Sequence, residues 1–282
     1  ITLTFDELNL KEKLLRGVFS YGFENPSKIQ HSAIPILTSG KDLIAQAQSG
    51  TGKTGAFTIG CLNKMDEGLK RTQILIISPT HELVNQTYDV LSSLSDYMDI
   101  TLMKVMGGTN VNQCRDDLSK DPQIIVGSPG RILDMIHRKY LFTDNISTII
   151  FDEADEILSY GFKESIYNII KCVPEKSQIC LFSATLPEEV LELSQKFLRN
   201  PENILIDKER LTLEGITQFY INIKVNDWKY DVLKDLYDTI SISQCIIYIN
   251  SKNRLNEVYN DLLKDNFPVS CIHGELSPSE RK

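Results

Sequence analysis

The 282-residue sequence predicts an α/β fold, a parallel sheet with helices on both faces, followed by an incomplete second unit of the same kind. Three observations carry this. Short β-branched apolar runs recur at Gln73 to Ser78, Thr101 to Met106, Gln123 to Gly127, Ser147 to Asp152 and Gln178 to Ser183. Stretches of helical periodicity alternate with them: Glu82 to Leu94, Ile132 to Ile136, Glu164 to Cys172 and Glu188 to Leu198. Parallel neighbours need crossovers, and crossover helices cover both faces of the sheet. Third, a glycine-bearing loop separates the apolar run Asp42-Leu43-Ile44-Ala45 from the helix-compatible run Ala56-Phe57-Thr58-Ile59, which reads as strand, loop, helix.

The loop, Ala47-Gln48-Ser49-Gly50-Thr51-Gly52-Lys53-Thr54, has the small residues that let successive backbone N–H groups point at phosphate oxygens, with a helix N-terminus behind them. Lys53 is placed to reach β- and γ-phosphates and the Thr54 hydroxyl to ligate Mg²⁺, the division of labour in a P-loop. Ala47 stands where such loops usually begin with glycine. A ligand-free turn is the plainer alternative, and the Lys-Thr pair directly after Gly52 argues against it. The run Ser147-Thr148-Ile149-Ile150-Phe151 drives into Asp152-Glu153-Ala154-Asp155, so two carboxylates emerge at the carboxyl end of a strand, where α/β sheets bind ligands. Asp152 would hold Mg²⁺ through its water shell and Glu153 would orient an attacking water. An acidic first turn also suits any helix. The P-loop upstream favours the ATPase reading.

Composition bounds the rest. With 41% hydrophobic and 24% charged residues the chain has the make-up of a globular protein large enough for a sizeable core. No window approaches the length of a membrane span, and Ile1-Thr2-Leu3-Thr4-Phe5 does not open a signal peptide. Six cysteines without a C-x-x-C pair read as buried free thiols of a reducing, intracellular compartment. A net charge of −8 excludes a protein that coats nucleic acid by bulk charge, so any such site is local.

Periodicity lapses around Pro201 to Gly215 before a second unit reads strand (Gln218 to Asn222), helix (Asp227 to Ile240), strand (Gln244 to Asn250), helix (Asn253 to Asp265), strand (Pro268 to His273). Ser277-Pro278-Ser279-Glu280 then announces a further helix. The chain begins without Met, and the sequence reads as the front part of a longer protein.

These residues resemble one family, the DEAD-box RNA helicases, whose name is the tetrapeptide Asp152 to Asp155. The resemblance spans the chain and implies two RecA-like lobes: an ATP-binding domain over 1–206, a linker over 207–216 and a partial second domain over 217–282. Tyr21-Gly22-Phe23-Glu24-Asn25-Pro26-Ser27-Lys28-Ile29-Gln30 is similar to the family's Q motif. It implies Phe23 packed on adenine, Gln30 reading the polar edge of the base, and Phe5 as the upstream aromatic; by itself Gln30 reads as an exposed helix residue. Pro79-Thr80-His81-Glu82-Leu83, Gly107-Gly108 and Ser128-Pro129-Gly130-Arg131 resemble the first lobe's RNA-facing motifs, with His81 in place of the usual arginine and Ser128 in place of threonine. Ser183-Ala184-Thr185 resembles the motif that, with Asp155, couples ATP state to unwinding. Asn250, Ser251 and His273-Gly274-Glu275-Leu276 resemble second-lobe motifs, with Pro278 for the usual glutamine and Arg281 retained. The resemblance implies ATP and Mg²⁺ as ligands, a single RNA strand gripped by its backbone, and no membrane partner. It further implies a cytoplasmic or nuclear role, with protein partners in translation initiation or, alternatively, as an ATP-locked RNA clamp in a ribonucleoprotein assembly. The family's late arginine motifs would lie beyond Lys282, so the chain alone is expected to lack full activity.

Overall fold

The computed structural model describes residues 4–205 and 217–276. The chain divides into two compact units, Ile1–Leu213 and Glu214–Lys282. The expected linker at 207–216 and the helix start at Ser277 lie outside the described residues.

The first unit opens with α1 (Glu12–Ser20) and α2 (Lys28–Ser39), then alternates. The strands are β1 (Leu43–Gln46), β2 (Ile74–Ile77), β3 (Leu102–Val105), β4 (Ile124–Gly127), β5 (Thr148–Asp152), β6 (Gln178–Ser183) and β7 (Glu202–Ile204). Between them run α3 (Lys53–Lys64), α4 (His81–Leu94), α5 (Val111–Leu118), α6 (Pro129–His137), α7 (Ala154–Ser159), α8 (Lys163–Cys172) and α9 (Glu188–Phe197). All seven strands are parallel in the order β3-β4-β2-β5-β6-β1-β7. The order reverses around β1, and a crevice at the carboxyl ends of the strands follows from that topology.

The sheet has a core on each face, and the strand residues divide between them with period two. Ile74, Ile76, Ile124, Val126, Ile150, Cys180 and Phe182 face α1 to α4. Leu75, Ile77, Ile125, Ile149, Phe151, Ile179 and Leu181 face α5 to α9. Because both faces are covered, these strands read as continuous apolar runs rather than alternating ones. The strand nearest the nucleotide loop is steered by its neighbours: Leu43 to Gln46 register with Cys180 to Ser183 in β6 and Leu43 to Ala45 with Glu202 to Ile204 in β7.

The second unit contains α10 (Lys229–Thr239) and α11 (Lys252–Lys264). The helices stand within two residues of the sequence expectation. The three expected strands do not form: among the described residues of this unit none belongs to a ladder. A parallel strand exists only through its neighbours, and here Phe219, Tyr220, Ile246 and Tyr248 are at least 77% exposed. Cys245 is likewise exposed, contrary to the expectation of buried thiols, whereas Cys61, Cys114 and Cys180 are buried and free.

Candidate functional site

β1 ends at Gln46, whose side-chain amide donates to Ala184 O at 3.3 Å, and Ala47 N donates to Ser183 O at 3.0 Å. Ala47 is fully buried and its N–H still bonds the end of β6, so alanine suffices at a position where loops of this kind carry glycine. The turn itself needs two glycines: Gly50 has φ +81° and Gly52 φ +99°, a region that costs any residue with a Cβ. Between them Thr51 bonds back on Gln48 O through its hydroxyl at 2.7 Å and its N–H at 3.4 Å. The turn delivers Lys53 and Thr54 as the first residues of α3, where the helix dipole and unpaired N–H groups favour an anion.

Lys53 is buried and its Nζ donates to both carboxylate oxygens of Glu153 at 2.7 Å. Ser49 Oγ also donates to Glu153 Oε1 at 3.4 Å. Glu153 adopts φ +50°, ψ +56°, a left-handed conformation that a non-glycine residue holds at some cost and that gathers at functional sites. Asp152, the last residue of β5, is 3% exposed. Burial and the neighbouring Glu153 carboxylate push its carboxyl up from 3.8 to about 7, with Lys53 opposing. A carboxylate so placed gains from a cation, and the Thr54 hydroxyl opens α3 nearby, a hard-oxygen donor set that suits water-mediated Mg²⁺. Among the described residues no group of three or more His, Cys, Asp or Glu converges for direct metal ligation.

Asp155 links β5 to the end of β6. Its Oδ2 accepts from Thr185 N at 3.0 Å and Thr185 Oγ1 at 2.5 Å, and Asp155 N donates to Ser183 Oγ at 3.2 Å. Burial raises the Asp155 carboxyl, and the donors from Thr185 and Ser183 outweigh it, holding the group below its ordinary value.

Gln30, which read by itself is an ordinary exposed helix residue, is 3% exposed. Ser27 and Gln30 form a capping box, Ser27 N donating to Gln30 Oε1 at 2.8 Å and Gln30 N to Ser27 Oγ at 3.4 Å. This aims Gln30 Nε2 at Gly52 O, 3.3 Å away. The S-x-x-Q pattern was the available signal. A Cβ on Gly52 or Gly55 would come within 2.8 or 2.6 Å of Gln30 Nε2, and one on Gly55 within 3.1 Å of the Phe23 ring. The glycines therefore serve Gln30 and Phe23 as well as the turn. Phe23 is half-buried, stacked on Phe5 at 6.3 Å between centroids and met edge-on by Tyr21 at 4.8 Å. Phe5 is fully buried and supports Phe23 from below.

The remaining first-unit motifs lie at strand ends. Pro79 follows β2 and is buried; Thr80 caps α4, its hydroxyl accepting from Leu83 N at 3.2 Å. Gly107 and Gly108 follow β3, Gly108 with φ +78°. Ser128 caps α6 without a side-chain cap bond, Pro129 is the first helical residue and Gly130 is exposed. The Arg131 guanidinium donates to Thr109 O at 3.0 Å and Thr109 Oγ1 at 3.1 Å, tying α6 to the loop after the glycine pair. In the second unit Ser251 caps α11, and Asn250 and Ser251 line a cavity of about 560 Å³ with Tyr230, Tyr248 and Arg254.

A parallel sheet with this loop after β1 and this acidic pair after β5 meets a matching family: residues 27–193 fit the DEAD/DEAH box helicase model, and the chain belongs to that family. Over 281 residues it is 48% identical to a protein of Meyerozyma guilliermondii named ATP-dependent RNA helicase eIF4A, covering all of this chain and 71% of that protein. It is 49% identical, over the same shares, to the like-named protein of Kluyveromyces lactis. Among solved structures it is similar to S. cerevisiae Dbp5 bound to RNA and ADP BeF3, with TM-score 0.87, 31% identity and coverage of 99% of this chain and 71% of that one. A DEAD box protein from the hyperthermophile Methanococcus jannaschii gives TM-score 0.71 at 32% identity, covering 99% and 75%.

Proposed function

We propose that the chain acts as an ATP-dependent RNA helicase in translation initiation, with an ATP-binding domain at 1–206 and a partial second domain at 217–282. The convergence of Lys53, Glu153 and Asp152 beneath the loop is the observation that carries the nucleotide half. The 48% identity to proteins named eIF4A carries the assignment to initiation, and with it a cytoplasmic place and protein partners of initiation complexes. Among the described residues no helix is long and apolar enough to cross a membrane.

In this reading the backbone from Ala47 to Gly52 cradles the phosphates, Lys53 meets the β- and γ-phosphates, and Thr54 and Asp152 hold Mg²⁺, Asp152 through water. Mg²⁺ held by these residues would supply positive charge against the phosphates. Glu153, released from Lys53, orients the attacking water and accepts its proton. Phe23 packs on adenine and Gln30 hydrogen-bonds its edge. Asp155 with Ser183 and Thr185 carries the state of the phosphate site to the RNA face. There Thr80, Gly107, Gly108, Ser128, Gly130 and Arg131, with Pro79 and Pro129 shaping the backbone, hold sugar and phosphate without reading bases. Asn250 and Ser251 add contacts from the second domain. The Ser128 hydroxyl makes no cap bond to α6, which suits this role.

The test is RNA-stimulated phosphate release and strand separation by the intact protein and its Lys53→Ala variant. Loss of both activities is expected, since no other group replaces the cation at the β- and γ-phosphates; a variant retaining most of the turnover would refute the assignment. RNA should compete far better than DNA of the same sequence, as 2′-hydroxyl contacts require.

A further inference from the structure

Ser78, at the carboxyl end of β2, is fully buried, and its hydroxyl has no hydrogen-bond partner among the described residues. The backbone there is regular. Ser78 N donates to Gly127 O at 3.1 Å, continuing the β2–β4 ladder past the pair Ile77–Gly127. On the other side β2 registers with β5 as Ile76–Ile150 and Ile77–Phe151, so the next residues, Ser78 and Asp152, stand side by side. Side chains alternate along a strand. Ile76 and Ile150 belong to the core beneath α3, whereas Ile77 and Phe151 belong to the opposite core. Ser78 and Asp152 therefore project to the same face, the one whose helix begins with Lys53 and Thr54.

A buried hydroxyl without a partner costs more free energy than an average hydrogen bond returns. Such atoms are few in folded proteins, and water or an ion completes many of them. Here the neighbour is a buried carboxylate already argued to hold Mg²⁺ through water, in a site whose direct protein ligands are too few to fill a six-oxygen shell.

We propose that Ser78 is a positioning residue of the Mg²⁺–nucleotide site, its hydroxyl bonding a water that also bonds Asp152 and that joins the shell of Mg²⁺ when nucleotide is bound. A hydroxyl both donates and accepts, so it can orient that water whether or not the ion is present. The proposal deepens the nucleotide reading above and rests on it.

The experiment is calorimetric titration with ADP, in Mg²⁺ and in EDTA, of the intact protein, Ser78→Ala and Ser78→Thr. In Ser78→Ala the ADP affinity in EDTA should match the parent, while the tightening conferred by Mg²⁺ should shrink about three- to tenfold, the size of one lost hydrogen bond. Ser78→Thr, which keeps the hydroxyl, should stay within about twofold of the parent. An unchanged Mg²⁺ effect in Ser78→Ala overturns the proposal, as does an equal loss in Mg²⁺ and EDTA, which would assign Ser78 to packing. Lys53→Ala separates the two levels. If it loses ADP affinity while Ser78→Ala keeps the full Mg²⁺ effect, only this proposal fails; if it binds ADP as the parent does, the nucleotide reading fails and takes the proposal with it.

Discussion

Replacing Glu153 by glutamine should make the ligand-free chain less stable and its nucleotide complex tighter. Lys53 and Glu153 are 5% and 11% exposed at the side chain and joined by two hydrogen bonds of 2.7 Å. Removing one member of a buried pair strands the other charge, at a cost of about 3–5 kcal/mol. The glutamine oxygen still accepts one bond from Lys53, which recovers about 1–2 kcal/mol. The unmet remainder, about 1–4 kcal/mol, is relieved when phosphate oxygens reach Lys53. ADP should therefore bind Glu153→Gln about five- to several-hundredfold more tightly than the parent, and added ADP should raise its melting temperature by more. Isothermal calorimetry with ADP reads this without turnover. Equal or weaker ADP binding by the variant would show that the ion pair does not compete with phosphate, and the argument would fail.

Gln30→Ala should weaken ATP more than GTP in competition titrations, narrowing the ratio by about 1–3 kcal/mol, the cost of an unmet polar contact. Gly55→Ala, whose Cβ would sit 2.6 Å from Gln30 Nε2, should reproduce that loss of discrimination and cost about 1–3 kcal/mol of stability in denaturant titrations. Asp152→Asn should abolish a pH slope. Because the folded carboxyl keeps its proton up to about 7 while the ordinary value is 3.8, the native state binds more protons between those values and stability falls as pH rises through them. The ligand-free variant should gain over the parent at pH 8, by at most about 4 kcal/mol, with the gain vanishing towards pH 4 in thermal melts.

What was legible in the sequence was local. Gly50, Gly52, Lys53 and Thr54 announce a loop because turn chemistry and charge sit within a few residues, and β2, β4, β5 and β6 announce themselves because strands buried on both faces are uniformly apolar. The short α7 and the largely polar α5 escaped notice, since six or eight residues give periodicity little room. Gln30 was legible only through the resemblance to the Q motif, because its contact with Gly52 O lies twenty-two residues away; the Ser27 capping box was the local trace. The pairing of Lys53 with Glu153 spans one hundred residues and depends on β1 and β5 both flanking β6, an order no single segment encodes. The second-unit runs were legible as strands in composition, yet composition supplies no neighbour. Without a ladder, Tyr220 and Tyr248 stay exposed.

Three groups assigned to the nucleotide site are already bonded within the chain. Glu153 meets Lys53, Gln48 O takes both donors of Thr51, and Gly52 O takes the Gln30 amide. Binding under the proposed function is therefore an exchange of internal bonds for bonds to ligand, and its free energy is the difference between two nearly matched sets. The exchange is also directional. The carboxylate proposed to orient the attacking water is the one freed when phosphate reaches Lys53, so on this reading the group that acts on water is released by the arrival of the substrate it is to attack.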